Sequence, residues 1–192
     1  QRAMHWIQNG LIGEVRMLKA DFGFRAPWEP EQRILNPVLG GGSILDVGIY
    51  PIALASQLLG TQPTDIQALA HLGATDVDEQ AAIILKYPRG QLALLSSAVR
   101  TRTLHNAFIF GTEGIVWMPL FWRARLSVLW RSKKLLRITW NKAGYQYEAA
   151  EVNRCIRENQ LESTAIPLAD TLARMEILDQ IRTQVGLKYP GE

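Results

Sequence analysis

The spacing of apolar residues divides the chain into a helical start, a strand, a loop and a second helix. Apolar residues recur at helical intervals over residues 1–9, and Gly10 stands where a helix-ending glycine is expected. The pattern then favours a strand over residues 13–24. From residue 43 to residue 59 the apolar residues return at three- and four-residue steps, which predicts a helix closed by Gly60.

Beyond this helix the apolar period shortens from about 3.6 toward about 2, the period of a strand. Seven short strands are predicted, near residues 65–73, 80–87, 91–99, 105–110, 114–118, 124–131 and 134–140. Turn residues at 88–90 and 111–114 connect two pairs of these strands as hairpins. The end of the chain is again helical, near residues 145–156 and 168–185. This order predicts an α+β fold with an open, mainly antiparallel sheet and helices packed on one face.

The segment GGGSILDVGIYP, at residues 40–51, carries the candidate chemistry. Asp46 and Tyr50 are four residues apart, so on a helix they share one face near its N-terminus. The helix dipole there favours negative charge and would help the tyrosine hydroxyl to share its proton, which suits catalysis. Gly41 and Gly42 have no side chains and would let a cofactor approach the backbone closely. Pro51 lacks an N–H, which predicts a kink or local unwinding near Tyr50.

The same residues also have a structural interpretation. Ser43 and Asp46 fit a Ser-x-x-Asp capping box, in which side chains bond the free amides of the first helical turn. Tyr50 fits equally well as a half-buried packing residue. The residue types alone therefore leave catalysis and capping both open.

The loop before the glycines holds a candidate substrate frame. Three prolines within residues 25–42 are typical of an exposed, shaped loop. An aromatic wall with one guanidinium suits a polyol or a sugar acid, and the residues proposed for this frame are Phe24, Trp28, Arg33 and Asn36. Arg33 fits equally well as a residue that pins the loop.

Composition narrows the class of protein and its partners. The 192 residues, of which 47% are hydrophobic and 20% charged, fit one soluble globular domain. The densest basic cluster is interpreted as a solvated strand pair at an open edge, so no nucleic-acid partner is expected; it comprises Arg131, Lys133, Lys134 and Arg137. No apolar run approaches the ~20 residues that span a bilayer, so no membrane partner is expected either.

The cysteine and the histidines argue against a disulfide bond and against a bound metal ion. Cys155 is the only cysteine, which rules out an intramolecular disulfide, fits a reducing compartment and predicts a cytoplasmic protein. It is interpreted as a small buried thiol rather than a nucleophile. No Cys, Asp or Glu stands at metal-ligand spacing from the three histidines, so no metal is predicted; these are His5, His71 and His105.

The order of the motifs resembles a known family. The segments GEVRMLKADFGF, RILNP, GGGSILDVGIY, FGTEG and GLKYP follow one another along nearly the whole chain. In this order they resemble the C-terminal domain of the glucose-fructose oxidoreductase, inositol dehydrogenase and MocA (Gfo/Idh/MocA) family. The tyrosine form DVGIY is similar to the branch that contains dihydrodiol dehydrogenases, xylose dehydrogenases and glucose-fructose oxidoreductases.

The resemblance implies a two-domain enzyme of which this chain is one part. It implies an N-terminal Rossmann domain that binds NAD or NADP, and a C-terminal open sheet that walls the substrate pocket and forms a homodimer. Tyr50 matches the family's catalytic tyrosine, the acid/base on the substrate hydroxyl or carbonyl, and Asp46 matches its motif carboxylate. Residues 1–12 would end a linker helix, and residues 13–192 would form the substrate-binding and dimerisation domain.

Two departures from the complete family pattern predict that the isolated chain is inactive. The chain holds no G-x-G-x-x-G dinucleotide fingerprint, and none of its lysines lies in the family's Glu-Lys-Pro motif. The Rossmann domain is thus expected outside this chain, and a start at Gln1 without methionine fits a fragment.

Two functions of different classes remain open on the sequence. The first is the substrate-binding domain of an NAD(P)-dependent oxidoreductase acting on a hydroxyl or carbonyl of a sugar, polyol or diol. The second is a non-catalytic, dimeric sheet domain that serves as a ligand sensor or interaction module. A dinucleotide fingerprint upstream of Gln1 would favour the first function, and its absence the second.

Overall fold

The computed structural model describes residues 2–123, 125–132, 134–140 and 144–192. Its α-helices are α1 (Arg2–Gln8), α2 (Ile49–Leu59), α3 (Gln146–Arg157) and α4 (Leu168–Val185). Its strands are β1 (Val15–Gly23), β2 (Asp65–Leu72), β3 (Asp78–Lys86), β4 (Leu92–Ala98), β5 (Asn106–Gly111), β6 (Gly114–Pro119), β7 (Leu126–Arg131) and β8 (Lys134–Trp140). The helices and strands that the apolar pattern predicts are therefore all present, with small differences at their ends.

The eight strands form one sheet in the order β2-β3-β4-β1-β5-β6-β7-β8. Strands β2 to β4 and strands β5 to β8 each run back and forth as antiparallel neighbours. Strand β1 lies between these two groups, parallel to β4 and antiparallel to β5. The prediction of an open, mainly antiparallel sheet is thus confirmed, and the single parallel pair makes the sheet mixed.

Helices α2 and α4 cover one face of the sheet, as predicted. Helix α2 packs on β1 and β4, and helix α4 packs on β2. Alternate strand residues point into the layer between sheet and helices and are buried, among them Leu18, Leu85, Leu95, Ile109 and Leu129. Ala3 and Trp6 of α1 belong to the same hydrophobic core, so the first helix packs with the sheet.

The opposite face of the sheet carries large apolar residues with no helix over them. Four rings stack in a line across β5, β6 and β7, with successive centroids 6.1 to 6.2 Å apart, and we call this line the aromatic ladder: Phe110, Phe108, Trp117 and Trp130. Further apolar side chains on this open face are exposed, including Leu69, Ile84, Ile138 and Trp140.

The helix predicted over residues 43–59 is built from two parts. Ile44–Gly48 form a wide π-helical turn, and α2 begins only at Ile49. Pro51 therefore follows the π-helical turn within one continuous helical segment, and the widened turn before it accommodates a residue that has no N–H to donate. The local irregularity that Pro51 predicts is confirmed, and it ends two residues before Tyr50.

The basic cluster lies at the open edge of the sheet, as predicted. Arg131, Lys134 and Arg137 lie on the edge pair β7 and β8, with Lys134 and Arg137 exposed, which confirms the solvated strand pair; Lys133 lies outside the described residues.

Cys155 on α3 is buried as predicted, but polar groups of Glu151 and Gln160 face its sulfur. The apolar residues of the same helix, including Val152 and Ile156, are exposed instead.

One segment departs from the expectation that no stretch reaches membrane-spanning length. Pro37–Leu59, 23 residues, is long and apolar enough to cross a bilayer by length and composition alone. Half of its most apolar window is buried inside the protein. Because the segment is also divided into a 3₁₀ turn, a π-helical turn and α2, we interpret it as the core helix of this fold.

Candidate active site

Tyr50 lies in the first turn of α2 with its side chain at the surface. It is 44% exposed, and within the described part of the chain no group forms a hydrogen bond with its hydroxyl. One edge of its ring meets Phe22 of β1 in a T-shaped contact with 5.2 Å between ring centroids. The phenol is thus held against the sheet on one side while its hydroxyl remains accessible to a ligand.

Phe22 connects Tyr50 to two further rings, which together we call the aromatic cluster: Tyr50, Phe22, His105 and Trp122. Phe22 stacks on Trp122 with centroids 5.4 Å apart and lies 4.5 Å from the His105 ring. The indole is 36% exposed, and the Arg123 guanidinium lies over its ring, 4.6 Å from the ring centroid. The sequence does not reveal this cluster, because its members come from α2, β1 and the two ends of the β5–β6 hairpin.

Hydrogen bonds fix the orientation and tautomer of His105. Its Nε2 lies 2.6 Å from the Gly23 carbonyl, and its Nδ1 lies 3.3 Å from the Trp122 indole N–H. A carbonyl only accepts and an indole only donates, so Nε2 is the donor and Nδ1 the acceptor in these two contacts. The interpretation of His105 as a structural residue fits these contacts, and its place beside the site is new.

Asp46 forms an ion pair with Arg33, whose guanidinium donates to its Oδ1. The aspartate side chain is 15% exposed and the arginine side chain 57% exposed, so the pair lies at the rim of the site. Arg33 therefore ties the preceding loop to the π-helical turn, as its alternative interpretation predicts. A pair this open contributes about 0 to 1 kcal/mol to stability, and its main effect is on geometry.

The capping-box interpretation of Ser43 and Asp46 is wrong. Ser43 has helical backbone angles and makes no side-chain cap, and Asp46 bonds Arg33 instead of a backbone amide. The carboxylate at the helix start comes from Asp78 at the beginning of β3. Its Oδ2 accepts from the Ile44 N–H and from the Ser43 hydroxyl, both at 2.7 Å. Burial raises the pKa of Asp78 to about 6, and these hydrogen bonds oppose that shift.

The space beside the glycines before the helix, where a side chain would lie, is occupied by other atoms of the protein. A Cβ on Gly41 would lie 2.7 Å from the carbonyls of Arg33 and Ile34. A Cβ on Gly42 would lie 2.2 Å from Oδ1 of Asp78, and the φ of Gly42 is +112°, which favours glycine. Both glycines are buried. Their lack of side chains thus serves the packing of the loop on β3, and contact with a cofactor stays a prediction.

The contacts found for the remaining loop candidates are with residues other than Tyr50. Phe24 is partly buried and packs against the hydrophobic core. Trp28 is exposed under the Arg100 guanidinium, 5.4 Å from its ring centre. The Asn36 side chain accepts from the Val38 N–H at 2.9 Å and so starts a 3₁₀ turn. As substrate contacts these three residues stay predictions.

The residues of this chain do not fit a whole dinucleotide. The sequence has no G-x-G-x-x-G fingerprint, and Gly41 and Gly42 face protein atoms rather than an open phosphate cradle. Among the described residues, no three His, Cys, Asp or Glu side chains gather as they would around a metal ion.

Comparison with known proteins places the chain in a family. Residues 1–117 match the family model described as the GFO/IDH/MocA C-terminal domain. The trans-1,2-dihydrobenzene-1,2-diol dehydrogenase of Xenopus laevis is 32% identical over 190 residues, which cover 93% of this chain and 57% of that protein. The enzyme of the same name from Mus musculus is 30% identical over 192 residues, with 95% and 57% covered. The chain thus spans 57% of the length of these relatives.

Solved structures share the fold. A 3-ketoreductase from Actinomadura kijaniata, in complex with NADP and TDP-benzene, superposes with a TM-score of 0.81 at 22% identity, over 96% of this chain and 58% of that chain. An aldose-aldose oxidoreductase from Caulobacter crescentus, complexed with glycerol, gives a TM-score of 0.81 at 23% identity, over 96% and 57%. With the family model and the relatives already described, the resemblance seen in the motifs is confirmed: the chain belongs to the Gfo/Idh/MocA family and corresponds to its C-terminal domain.

Proposed function

We propose that this chain is the substrate-binding and dimerisation domain of an NAD(P)-dependent oxidoreductase. The reaction would take place at a hydroxyl or carbonyl carbon of a sugar, polyol or diol, with Tyr50 as the acid/base. The observation that carries the proposal is the Tyr50 hydroxyl, which is exposed at a helix start, beside a buried aromatic ring and one turn from the Asp46 carboxylate.

The proposed role of Tyr50 is a single proton transfer. In the oxidising direction the phenolate oxygen takes the proton of the substrate hydroxyl while a hydride leaves the same carbon. In the reducing direction the phenol returns that proton to the carbonyl oxygen. A nicotinamide cofactor, when bound, supplies or accepts the hydride. Proton transfer by a positioned side chain is typically worth about 10² to 10⁴ in rate.

The aromatic cluster supports a ring-shaped or polyhydroxylated substrate. Trp122 is partly exposed and stacks on Phe22, which also contacts Tyr50, and aromatic rings pack well against the C–H side of a sugar or a cyclic diol. The names of the relatives point the same way, since they are dehydrogenases of a cyclic diol, a 3-ketoreductase and an aldose oxidoreductase.

The complete protein is proposed to carry an N-terminal nucleotide-binding domain and to work in the cytoplasm. The chain spans 57% of its curated relatives, and its own residues provide no dinucleotide fingerprint. The ketoreductase of the same fold was solved with NADP, which supports NAD or NADP as cofactor here. The isolated chain should bind neither tightly and should be inactive.

A homodimer through the open face of the sheet forms part of the proposal. The aromatic ladder and exposed residues such as Ile84 and Trp140 leave a wide apolar surface on this face. Large apolar patches of this kind usually mark interaction sites in soluble proteins. A second copy of the chain has the same patch, so a two-fold pairing would cover both at once.

The test uses the complete protein and compares two tyrosine variants. Tyr50→Phe removes only the hydroxyl, and kcat should fall about 10²-fold because the proton then has no positioned carrier. Tyr147→Phe is the matched control, since Tyr147 is also exposed but lies on α3. Steady-state kinetics with diols and aldoses measure both. A Tyr50→Phe enzyme within about twofold of wild type would remove Tyr50 from the mechanism and favour a non-catalytic module.

A further inference from the structure

We propose that Asp78 is a positioning residue for Tyr50. It holds the π-helical turn that precedes α2 and thereby sets the direction in which the tyrosine points. The proposal rests on the proposed role of Tyr50 as acid/base. It assigns a task to a carboxylate that lies outside the motif and touches neither Tyr50 nor Asp46.

Asp78 acts as a cap supplied from a distant strand. The first amides of a helix have no partner inside the helix, and usually a side chain at the N-cap satisfies one of them. Here Ser43 has helical backbone angles and provides no cap. Instead the Asp78 carboxylate accepts the Ile44 N–H at 2.7 Å, across 34 positions of sequence. Its negative charge at this end of the helix is also favoured by the helix dipole.

A second strand holds the same turn through Ser43. The Ser43 hydroxyl donates to Asp78 at 2.7 Å and lies 2.8 Å from the Ser97 hydroxyl of β4. Since the Ser43 proton points to the carboxylate, Ser97 donates to Ser43. All three side chains are buried, with exposures of 0% for Ser43 and Asp78 and 2% for Ser97. The helix start is therefore bonded to two neighbouring strands at one point.

This attachment reaches Tyr50 because little separates them. Tyr50 follows Ile44 by six residues, and the intervening Ile44–Gly48 turn packs on β3 and β4. A π-helical turn is an irregular, uncommon structure that is often found at functional sites. External bonds at Ser43 and Ile44 select this wide turn, and a change there would rotate the first turn of α2. A displacement of about 1 Å can cost about 10²-fold in rate.

The cost of burying Asp78 supports a positional task. Its Oδ1 has no hydrogen-bond partner among the described residues, and burial raises its pKa to about 6. A buried acceptor without a partner lowers stability rather than increasing it. Residues that break the local rules of stability in this way tend to occur where function requires a fixed geometry.

The experiment uses the complete protein with Asp78→Ala, Asp78→Asn and Ser56→Ala. Asp78→Ala removes the cap, and kcat should fall by about tenfold to hundredfold with little change in KM, because substrate contacts stay while proton transfer is misaligned. Asp78→Asn keeps an oxygen that accepts from Ile44 and Ser43, so it should restore kcat to within about threefold of wild type. Ser56→Ala removes a buried hydroxyl bond in the same helix, beyond Tyr50, and should leave kcat unchanged.

The outcomes separate this proposal from the proposed function. A Tyr50→Phe enzyme with wild-type activity would overturn the function and this proposal together. If Tyr50→Phe is impaired while Asp78→Ala keeps kcat within about twofold of wild type, only the positioning role is overturned. Equal losses in Asp78→Ala and Ser56→Ala would also overturn it, since general destabilisation would explain both. If Asp78→Ala does not fold, Ser43→Ala replaces it in the experiment, because this variant removes one of the two hydrogen bonds to the Asp78 carboxylate. We then expect a loss of kcat, and an unchanged kcat would refute the proposal.

Discussion

Replacing Asp78 by asparagine should change how the stability of the chain depends on pH. Asparagine has nearly the same shape, and its amide oxygen still accepts from the Ile44 N–H and the Ser43 hydroxyl. The substitution therefore removes a titrating proton from a buried position while it retains the hydrogen bonds. Any cost of placing the amide NH₂ beside Gly42 is the same at every pH and cancels from the comparison.

The magnitude follows from the pKa of the carboxyl group. Burial raises the pKa from 3.8 to about 6, so the folded state binds this proton more tightly than the unfolded state. Stability from this source is complete below pH ~4 and is lost as the pH rises through about 6. A shift of about two units corresponds to about 3 kcal/mol. The pKa of the nearby Tyr189 is raised to about 12, so its phenol does not titrate in this window.

The assay is urea unfolding followed by circular dichroism at several pH values between about 4 and 7. The free energy of unfolding of wild type minus that of Asp78→Asn should fall by about 2.5 kcal/mol across this range, because at pH ~4 the unfolded chain is only partly protonated at this position. Other titrating groups are common to both proteins and cancel in the difference. A difference that is constant to within about 0.5 kcal/mol, or that rises with pH, would refute the reasoning.

Two further predictions concern buried hydroxyls and the open face of the sheet. Tyr87→Phe should leave stability unchanged or raise it by about 1 kcal/mol, because the buried Tyr87 hydroxyl has no hydrogen-bond partner among the described residues. Tyr189→Phe should lower stability by about 1 kcal/mol, because the Tyr189 hydroxyl donates to the Gly41 carbonyl at 2.6 Å. Urea unfolding measures both, and equal losses would contradict this account. In sedimentation the wild-type chain should be a dimer at micromolar concentration and Ile84→Glu a monomer, since a charge would lie in the buried face. Val152→Glu, also at an exposed apolar position but on α3, is the control, and a monomeric wild type would count against the dimer.

The elements of this fold could be predicted because most strands have one buried and one open face. Alternation along β5, for example, places Ala107 and Ile109 in the core and Phe108 and Phe110 on the open face. The parallel pairing of β1 with β4 could not be predicted in the same way. These strands are separated by more than 60 residues, and a periodic pattern states which side of a strand is buried but not which strand lies beside it.

Part of the candidate site could also be predicted from the sequence. Asp46 and Tyr50 share a motif, and Pro51 signals a local irregularity of the helix. The ion-pair partner of Asp46 could not be predicted, because Arg33 reaches this aspartate from a loop of irregular shape. Asp78 carries no local signal, since an aspartate at the start of a strand is ordinary until the fold brings Ser43 beside it.

The central position of β1 makes it the seam of the sheet. Within the described residues, the only strand pairing between the β2–β4 group and the β5–β8 group runs through β1. Each group consists of strands that are neighbours in sequence, so each has mostly short-range contacts, and their union depends on the two long-range pairings of β1.

The aromatic cluster straddles this seam. Phe22 near the end of β1 touches Tyr50, whose helix packs on β1 and β4, and it also touches His105 and Trp122, which flank β5 and β6. Any small flexing of one half of the sheet against the other would open or narrow the space between the phenol and the indole. A ligand that contacts both rings would therefore connect the two halves of the sheet across β1.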